Sequence, residues 1–372
     1  MDDRSRARIQ TLLQGTGVTL DGGQPWDPRI HDGRFSARVL SDGSLGLGES
    51  YMDGWWDCDQ IDAFIARILR KHVESKFQWN IPFIMDVLLG HLVNLQNKER
   101  ASHVAEAHYD IGNDLYRAML DKRMVYTCGY WKDAQTLDEA QEAKLDLVCR
   151  KIGLKPGQRV LDIGCGWGSF AKFAAERYGA HVVGITVSKE QVALAQEMCA
   201  GLPVEIRLQD YRDVNEMFDH VVSLGMFEHV GYKNYRNYFK VVDRCLKDDG
   251  SFLLHTIGGS VSSAHSDPWF ERYIFPNAVL PSARQIAGAA EGLFVMEDWH
   301  NFGPDYDKTL MAWRANFEQH WDEMKERYDE RFHRMWRYYL LVCAGSFRAR
   351  LNQLWQIVYS KNGVPGGYRS IR

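Results

Sequence analysis

Short apolar runs alternate with helical spacings through the second half of this chain. Val160, Leu161 and Ile163 give the stretch Arg159 to Ile163 the look of a strand buried on both faces. It breaks at Gly164-Cys165-Gly166-Trp167-Gly168, and a helical pattern runs from Ser169 to Tyr178. Further strands are predicted over His181 to Ile185, Val204 to Leu208, His220 to Leu224 and Ser251 to His255, with helices from Ser188 to Cys199 and from Tyr235. Such alternation predicts an α/β fold: a parallel sheet with helices on both faces. Beyond it come an aromatic-rich loop or insertion from Gly258 to Pro281 and a helix starting at Ser282. A sixth strand over Leu293 to Trp299, helices over Lys308 to Trp321 and Glu323 to Arg348, and a last strand over Leu354 to Ser360 complete the pattern.

The first hundred residues read as a separate, smaller α+β domain. Leu20 to Tyr51, rich in Gly, Asp and Pro, predicts turns and short strands, with an alternating stretch from Phe35 to Leu40. Ile61 to Lys71 and the strongly apolar Ile81 to Leu95 predict helices; the second would pack at a domain or subunit interface or lie on lipid. Gln96 to Ser102 reads as the linker, and Val104 to Leu154 as helical except for Arg123 to Trp131.

At 372 residues the length suits two domains. The net charge of −4 gives no whole-chain basic field for nucleic acid, and no apolar run is long enough to span a bilayer. Seven cysteines (Cys58, Cys128, Cys149, Cys165, Cys199, Cys245, Cys343) form no C-x-x-C pair, which points to reduced thiols in a cytoplasmic protein.

A strand entering a glycine-rich turn and then a helix sets backbone N–H groups beside a ligand. Asp162 would repel a pyrophosphate but pair with a cationic ligand such as the ammonium of S-adenosylmethionine. Ligands of open parallel sheets sit outside the carboxyl ends of the strands. Collected there are Thr186 with Gln191, Asp210-Tyr211, Glu228-His229, His255, and the segment His300 to Tyr306. A carboxylate, an imidazole and a phenol at one rim suggest acid–base or anion-binding work.

VLDIGCGWG, MFEHVG (Met226 to Gly231), LLHTIG (Leu253 to Gly258) and YTCGYW (Tyr126 to Trp131) resemble cyclopropane-fatty-acyl-phospholipid synthase, as do the later DPW, YIFPN, LPS and EDWHNFGPDYD segments. The resemblance runs from about Ala107 to the end and more loosely through the extra N-terminal domain. It implies a class I methyltransferase fold, Rossmann-like with a mostly parallel seven-stranded sheet, over residues 101–372. Helical insertions at about 259–290 and 308–350 would bind the acyl chain, and residues 1–100 would serve dimerisation or lipid presentation.

The resemblance further implies S-adenosylmethionine against Tyr126, Thr127, Asp162, Gly164, Cys165, Gly166, Gly168, Thr186, Gln191, Asp210 and Tyr211. Thr186 and Gln191 would take the ribose, because no acid ends the second strand. It implies a bicarbonate ion held by Cys128, Glu228, His255, Ile257 and Tyr306, of which Glu228, His255, Tyr306 and Cys128 form the catalytic set, and no metal. Methyl transfer to an unactivated alkene leaves a carbocation, and losing a proton from the new methyl closes the ring. A strong protein nucleophile would trap that cation, which favours bicarbonate as base. Glu228, itself anionic, is expected to carry or share a proton. Trp269, Phe270, Tyr273 and Phe275, with Trp313, Phe317 and Trp321, would line an acyl-chain tunnel. Arg331, Arg334, Arg337, Arg348 and Arg350 would sit near phospholipid headgroups. A homodimer attached peripherally to the inner face of the membrane is the implied assembly. Rival readings are a methyl-branching or methylene-forming relative, a small-molecule N- or C-methyltransferase, and a lipid-binding protein without catalysis.

Overall fold

The computed structural model describes residues 3–73 and 112–372. The predicted helix at Ile81 to Leu95 and the linker at Gln96 to Ser102 lie outside the described residues. Two compact units emerge, each discontinuous in sequence.

One unit holds a seven-stranded sheet. Its strands are β1 (Arg159–Ile163), β2 (His181–Thr186), β3 (Val204–Leu208), β4 (Phe218–Leu224), β5 (Leu246–Gly259), β6 (Val295–Asn301) and β7 (Asn352–Ser360), in the order β3-β2-β1-β4-β5-β7-β6. The pairs among β1 to β5 are parallel, and β6 pairs antiparallel with β7. The helices that matter below are α1 (Leu137–Lys151), α2 (Ser169–Tyr178), α3 (Lys189–Met198), α4 (Tyr235–Cys245) and α5 (Ala283–Ala290).

Strand residues alternate between two cores, because successive side chains point to opposite faces. Leu161, Val183, Val221, Phe252, Leu254 and Ile357 join Tyr238, Phe239 and Val242 of α4 and Ile286 of α5. Val160, Val182, Val222, Leu253 and Val358 join Leu145 and Val148 of α1 and Phe170 and Ala174 of α2. Both faces are therefore covered, which is why the strands read as nearly continuous apolar runs. Side-chain caps start three of these helices: Thr136 forms a capping box with Glu139, Ser188 accepts from the Gln191 backbone N–H, and Ser282 forms a capping box with Gln285.

The other unit gathers N-terminal residues with two later segments, residues 265–276 and 306–352. Here Phe35–Met52 is a helix, contrary to the turns and short strands expected. Phe35 and Val39, both buried, stand four apart, a spacing that fits a helix face as well as an alternating strand. Gly43, at φ 59° and ψ −128°, kinks the helix. Gly48 lets the ring of Trp269 approach so closely that a Cβ there would lie 2.3 Å from Trp269 Cδ1. Ile61–Arg70 is a helix as predicted. Of the two long C-terminal helices, the first runs Pro304–Gln319, and the second divides into Trp321–Met324 and Glu330–Arg348.

Candidate functional site

Within the sheet unit, the glycine turn after β1 is built as the sequence implied. Gly164, Gly166 and Gly168 all have positive φ, which side-chain-bearing residues rarely adopt. The N–H groups of Gly164 and Cys165 both donate to the Ile185 carbonyl, at 2.9 and 3.0 Å, so two of the turn's donors serve the fold. Open space surrounds Gly166, where an added Cβ would meet nothing within 4 Å. Asp162, fully buried just before the turn, is pushed up to about 7 by its burial, against the pull of the Lys144 ammonium.

At the neighbouring strand ends, Thr186 Oγ1 donates to Gln191 Oε1 at 2.7 Å, and both residues are buried. Asp210 accepts from the Arg212 backbone and guanidinium, each at 2.9 Å, and the Tyr211 ring packs 5.1 Å from that of Tyr238.

The Tyr126 to Trp131 segment is pinned to the same rim. Gln141 Nε2 donates to the Thr127 carbonyl and Lys144 Nζ to Thr127 Oγ1, both at 2.7 Å. Gly225, past the end of β4, has φ 73°, and a Cβ there would lie 2.5 Å from Thr127 Cγ2. Tyr126 packs edge-on to Tyr116 at 5.2 Å, and Tyr116 lies 4.8 Å from Trp167 of the glycine turn. Cys128 is fully buried, its thiol directed at the Gly129 carbonyl at 3.1 Å.

Glu228 and His255 come together through the sheet register. Leu224 of β4 pairs with His255 of β5, and the Gly225 N–H donates to the His255 carbonyl at 2.9 Å. The chain then turns through Phe227–His229, and the Ile257 N–H donates to Glu228 Oε1 at 2.6 Å. Glu228 Oε2 is buried without a hydrogen-bond partner. Burial pushes the Glu228 carboxyl up to about 7. His255, 1% exposed, meets Gln356 Nε2 at 3.3 Å through Nδ1, while its Nε2 is buried without a partner. Burial, reinforced by the Lys144 and Lys151 ammoniums, holds His255 well below the ordinary histidine range, so the ring is neutral. An amide donating to Nδ1 places the ring proton on Nε2.

Sequence reasoning did not single out Gln141, Lys144, Lys151 or Gln356. Polar residues among the buried positions of α1 and β7 were the available signal. Lys151 Nζ lies 3.1 Å from His300 Nδ1 and 3.8 Å from Asp298, and burial brings it down to about 7. Asp298 in turn accepts from both terminal nitrogens of Arg372, at 2.6 and 2.7 Å, and from Ser370 at 2.8 Å.

Tyr306 belongs to the other unit, buried with its ring 4.6 Å from Phe347. There too are the expected tunnel residues. Trp269 packs 4.8 Å from Tyr338, Phe270 and Phe275 pack against Tyr339, and Tyr273 Oη donates to Glu49 at 2.7 Å. Trp313 and Phe317 are fully buried, and Trp321 stacks on His333 at 4.3 Å. Four of the five arginines expected near headgroups face acids of their own unit: Arg331 with Asp53, Arg334 with Asp57, Arg337 with Glu318, and Arg348 with Asp307 and Asp62. Among the described residues, no helix is long and apolar enough to cross a membrane.

Residues 96–357 match the mycolic acid cyclopropane synthetase family. The chain belongs to this family. It is 54% identical over 371 residues to the Escherichia coli K12 cyclopropane-fatty-acyl-phospholipid synthase, covering 100% of this chain and 97% of that protein. It is 32% identical over 379 residues to the Mycobacterium tuberculosis tuberculostearic acid methyltransferase UfaA1, covering 95% and 88%. The crystal structure of mycolic acid cyclopropane synthase CmaA1 complexed with SAH and CTAB superposes with a TM-score of 0.65 at 33% identity, covering 70% of this chain and 98% of that one. The family member described here is thus an enzyme of the S-adenosylmethionine-dependent methyltransferase class.

Proposed function

We propose that this enzyme transfers the methyl carbon of S-adenosylmethionine to the cis double bond of unsaturated acyl chains in membrane phospholipids and closes a cyclopropane ring, with bicarbonate as general base. The observation that carries this reading is the pair of buried, unpartnered polar atoms, Glu228 Oε2 and His255 Nε2, at neighbouring strand ends. Buried polar atoms left unpaired are costly, so such a pair marks a place for a polar ligand. A neutral imidazole donating from Nε2 and a carboxyl that readily keeps its proton are two donors suited to a small oxyanion.

When bound, the sulfonium supplies an electrophilic methyl group and bicarbonate a weakly nucleophilic base. In this reading Asp162 takes the cofactor's ammonium, and Thr186 with Gln191 takes the ribose. Tyr126, Thr127, Gly164, Cys165, Gly166, Gly168, Asp210 and Tyr211 complete the cofactor site. Glu228, His255 and Cys128 hold the anion. Ile257, whose N–H is already given to Glu228, acts by orienting that carboxyl. Gln356 orients the imidazole from behind. Substrate in a bilayer requires peripheral attachment, with the N-terminal residues serving lipid presentation and a homodimer interface.

The test is product identification. Purified protein is incubated with S-adenosylmethionine labelled in its methyl carbon and vesicles of monounsaturated phosphatidylethanolamine, and the lipid is analysed by proton NMR and mass spectrometry. Labelled cyclopropane is the expected product. Label in a methyl branch or a methylene group would replace the ring-closing step, and absence of label despite cofactor binding would overturn the substrate.

A further inference from the structure

Lys151, the last residue of α1, is bonded to the weaker of two acceptors. Its buried Nζ lies 3.1 Å from His300 Nδ1 but 3.8 Å from the Asp298 carboxylate, although a carboxylate is the stronger acceptor. Asp298 is held away from it. The Arg372 guanidinium takes both carboxylate oxygens, at 2.6 and 2.7 Å, and Ser370 Oγ donates to Oδ1 at 2.8 Å. Tyr368 Oη donates to the Lys151 carbonyl at 2.9 Å, one of the carbonyls that the end of α1 leaves open. Residues 368–372 therefore fix the main chain of Lys151 and also the carboxylate that would otherwise draw its amino group away.

The contact so reserved sets an aromatic wall. Burial brings His300 down to about 3, so its ring is neutral, and a donor at Nδ1 leaves the ring proton on Nε2. The ring packs 4.9 Å from Phe302 and edge-on to Tyr130 at 5.8 Å. Tyr130, two residues after Cys128, is edge-on to Phe302 at 5.4 Å, and Phe302 is edge-on to His255 at 5.9 Å. Gln356 gives the His255 imidazole a hydrogen bond, and the Phe302 ring gives it a packed side. All these residues belong to the sheet unit.

We propose that Arg372 and Ser370 are positioning residues of the anion site: by holding Asp298 off Lys151 they reserve the lysine for His300, which sets the Tyr130–Phe302 wall against which His255 presents Nε2. This rests on the reading that His255 faces the anion. Nζ carries N–H donors whether charged or neutral, so the arrangement does not depend on its protonation. Freed from Arg372, the carboxylate closes on Lys151, and the His300 ring loses its anchor. A misplacement of roughly 1 Å caused far from the chemistry can cost about a hundredfold in rate.

The test compares wild type, R372A, R372K and S370A in cyclopropane formation on phospholipid vesicles across a range of bicarbonate, with calorimetric binding of S-adenosylhomocysteine to the same proteins. R372A is expected to lower kcat about tenfold and to raise the bicarbonate concentration giving half the maximal rate, with affinity for S-adenosylhomocysteine unchanged. R372K keeps a cation on Asp298 and is expected to recover part of both losses. S370A removes one donor from the same carboxylate and shifts both values less far in the same direction; it decides the matter if R372A does not fold. A lower melting temperature with kcat and bicarbonate response as in wild type would reduce residues 368–372 to a structural role and overturn the proposal. Affinity for S-adenosylhomocysteine falling in parallel with kcat would mark general loosening and overturn it likewise. A wild-type rate indifferent to bicarbonate would instead overturn the underlying reading of the anion site.

Discussion

Glu228 Oε1 accepts the Ile257 N–H at 2.6 Å, while Oε2 of the same carboxyl lies buried without a partner. The first contact fixes the orientation of the group, and the second leaves a polar atom for a ligand. Burial moves the carboxyl from 4.5 up to about 7, so between these values the folded protein keeps a proton that the unfolded chain has lost. Rising pH therefore costs stability through this window. In ligand-free protein, E228Q is expected to gain roughly 3 kcal/mol on wild type between pH 4.5 and pH 8. Urea unfolding at the two pH values checks this; a pH-independent difference would place the carboxyl in a more polar setting than the one described.

Gln356 acts on His255 from the side away from the unpartnered Nε2. Gln356→Leu removes the donor that fixes the ring proton, and a lost hydrogen bond is worth about 1.4 kcal/mol, or tenfold in rate. The expected result is a kcat lowered about tenfold with KM for lipid unchanged. A change in KM alone would assign Gln356 to substrate binding.

The buried Lys151 depends on Asp298, which is itself held by Arg372 and Ser370. At pH 6, below the value of about 7 to which burial brings Lys151, D298N leaves the lysine without its counter-charge and is expected to destabilise the protein by about 3 kcal/mol. Chemical denaturation measures it, and a loss under 1 kcal/mol would mean that Lys151 is neutral in the native protein.

Cys128 directs its thiol at the Gly129 carbonyl from a fully buried position, a poor setting for a nucleophile. C128S is therefore expected to keep activity within about tenfold of wild type, a hydroxyl replacing a weak donor. Loss of all activity in a folded C128S protein would make the thiol a participant.

Much of the sheet unit was legible because doubly covered strands read as apolar runs between glycine turns. The carboxyl-end rule then collected Asp162, Thr186 and His255 from within strands and Gln191 and Glu228 from the segments that follow them. Less legible was Phe35–Met52, where apolar residues four apart satisfy both periods and a kinking Gly43 mimics a turn. Lys144, Lys151 and Gln356 escaped notice because their importance lies in burial: one reaches Thr127, one the Asp298 cluster and one His255, contacts made by residues distant in sequence. The grouping of residues 306–352 with N-terminal segments likewise depends on tertiary packing, as in the contact of Gly345 with Asp62 and Ile65.

The central claim is ring closure assisted by bicarbonate at Glu228 and His255. It is tested most directly by following labelled cyclopropane formation on phospholipid vesicles in carbonate-depleted buffer and then with bicarbonate restored. The account predicts a low rate that rises saturably with bicarbonate in wild type, and a greatly weakened response in E228Q. A cyclopropane rate indifferent to bicarbonate would contradict it and return the proton transfer to the side chains themselves.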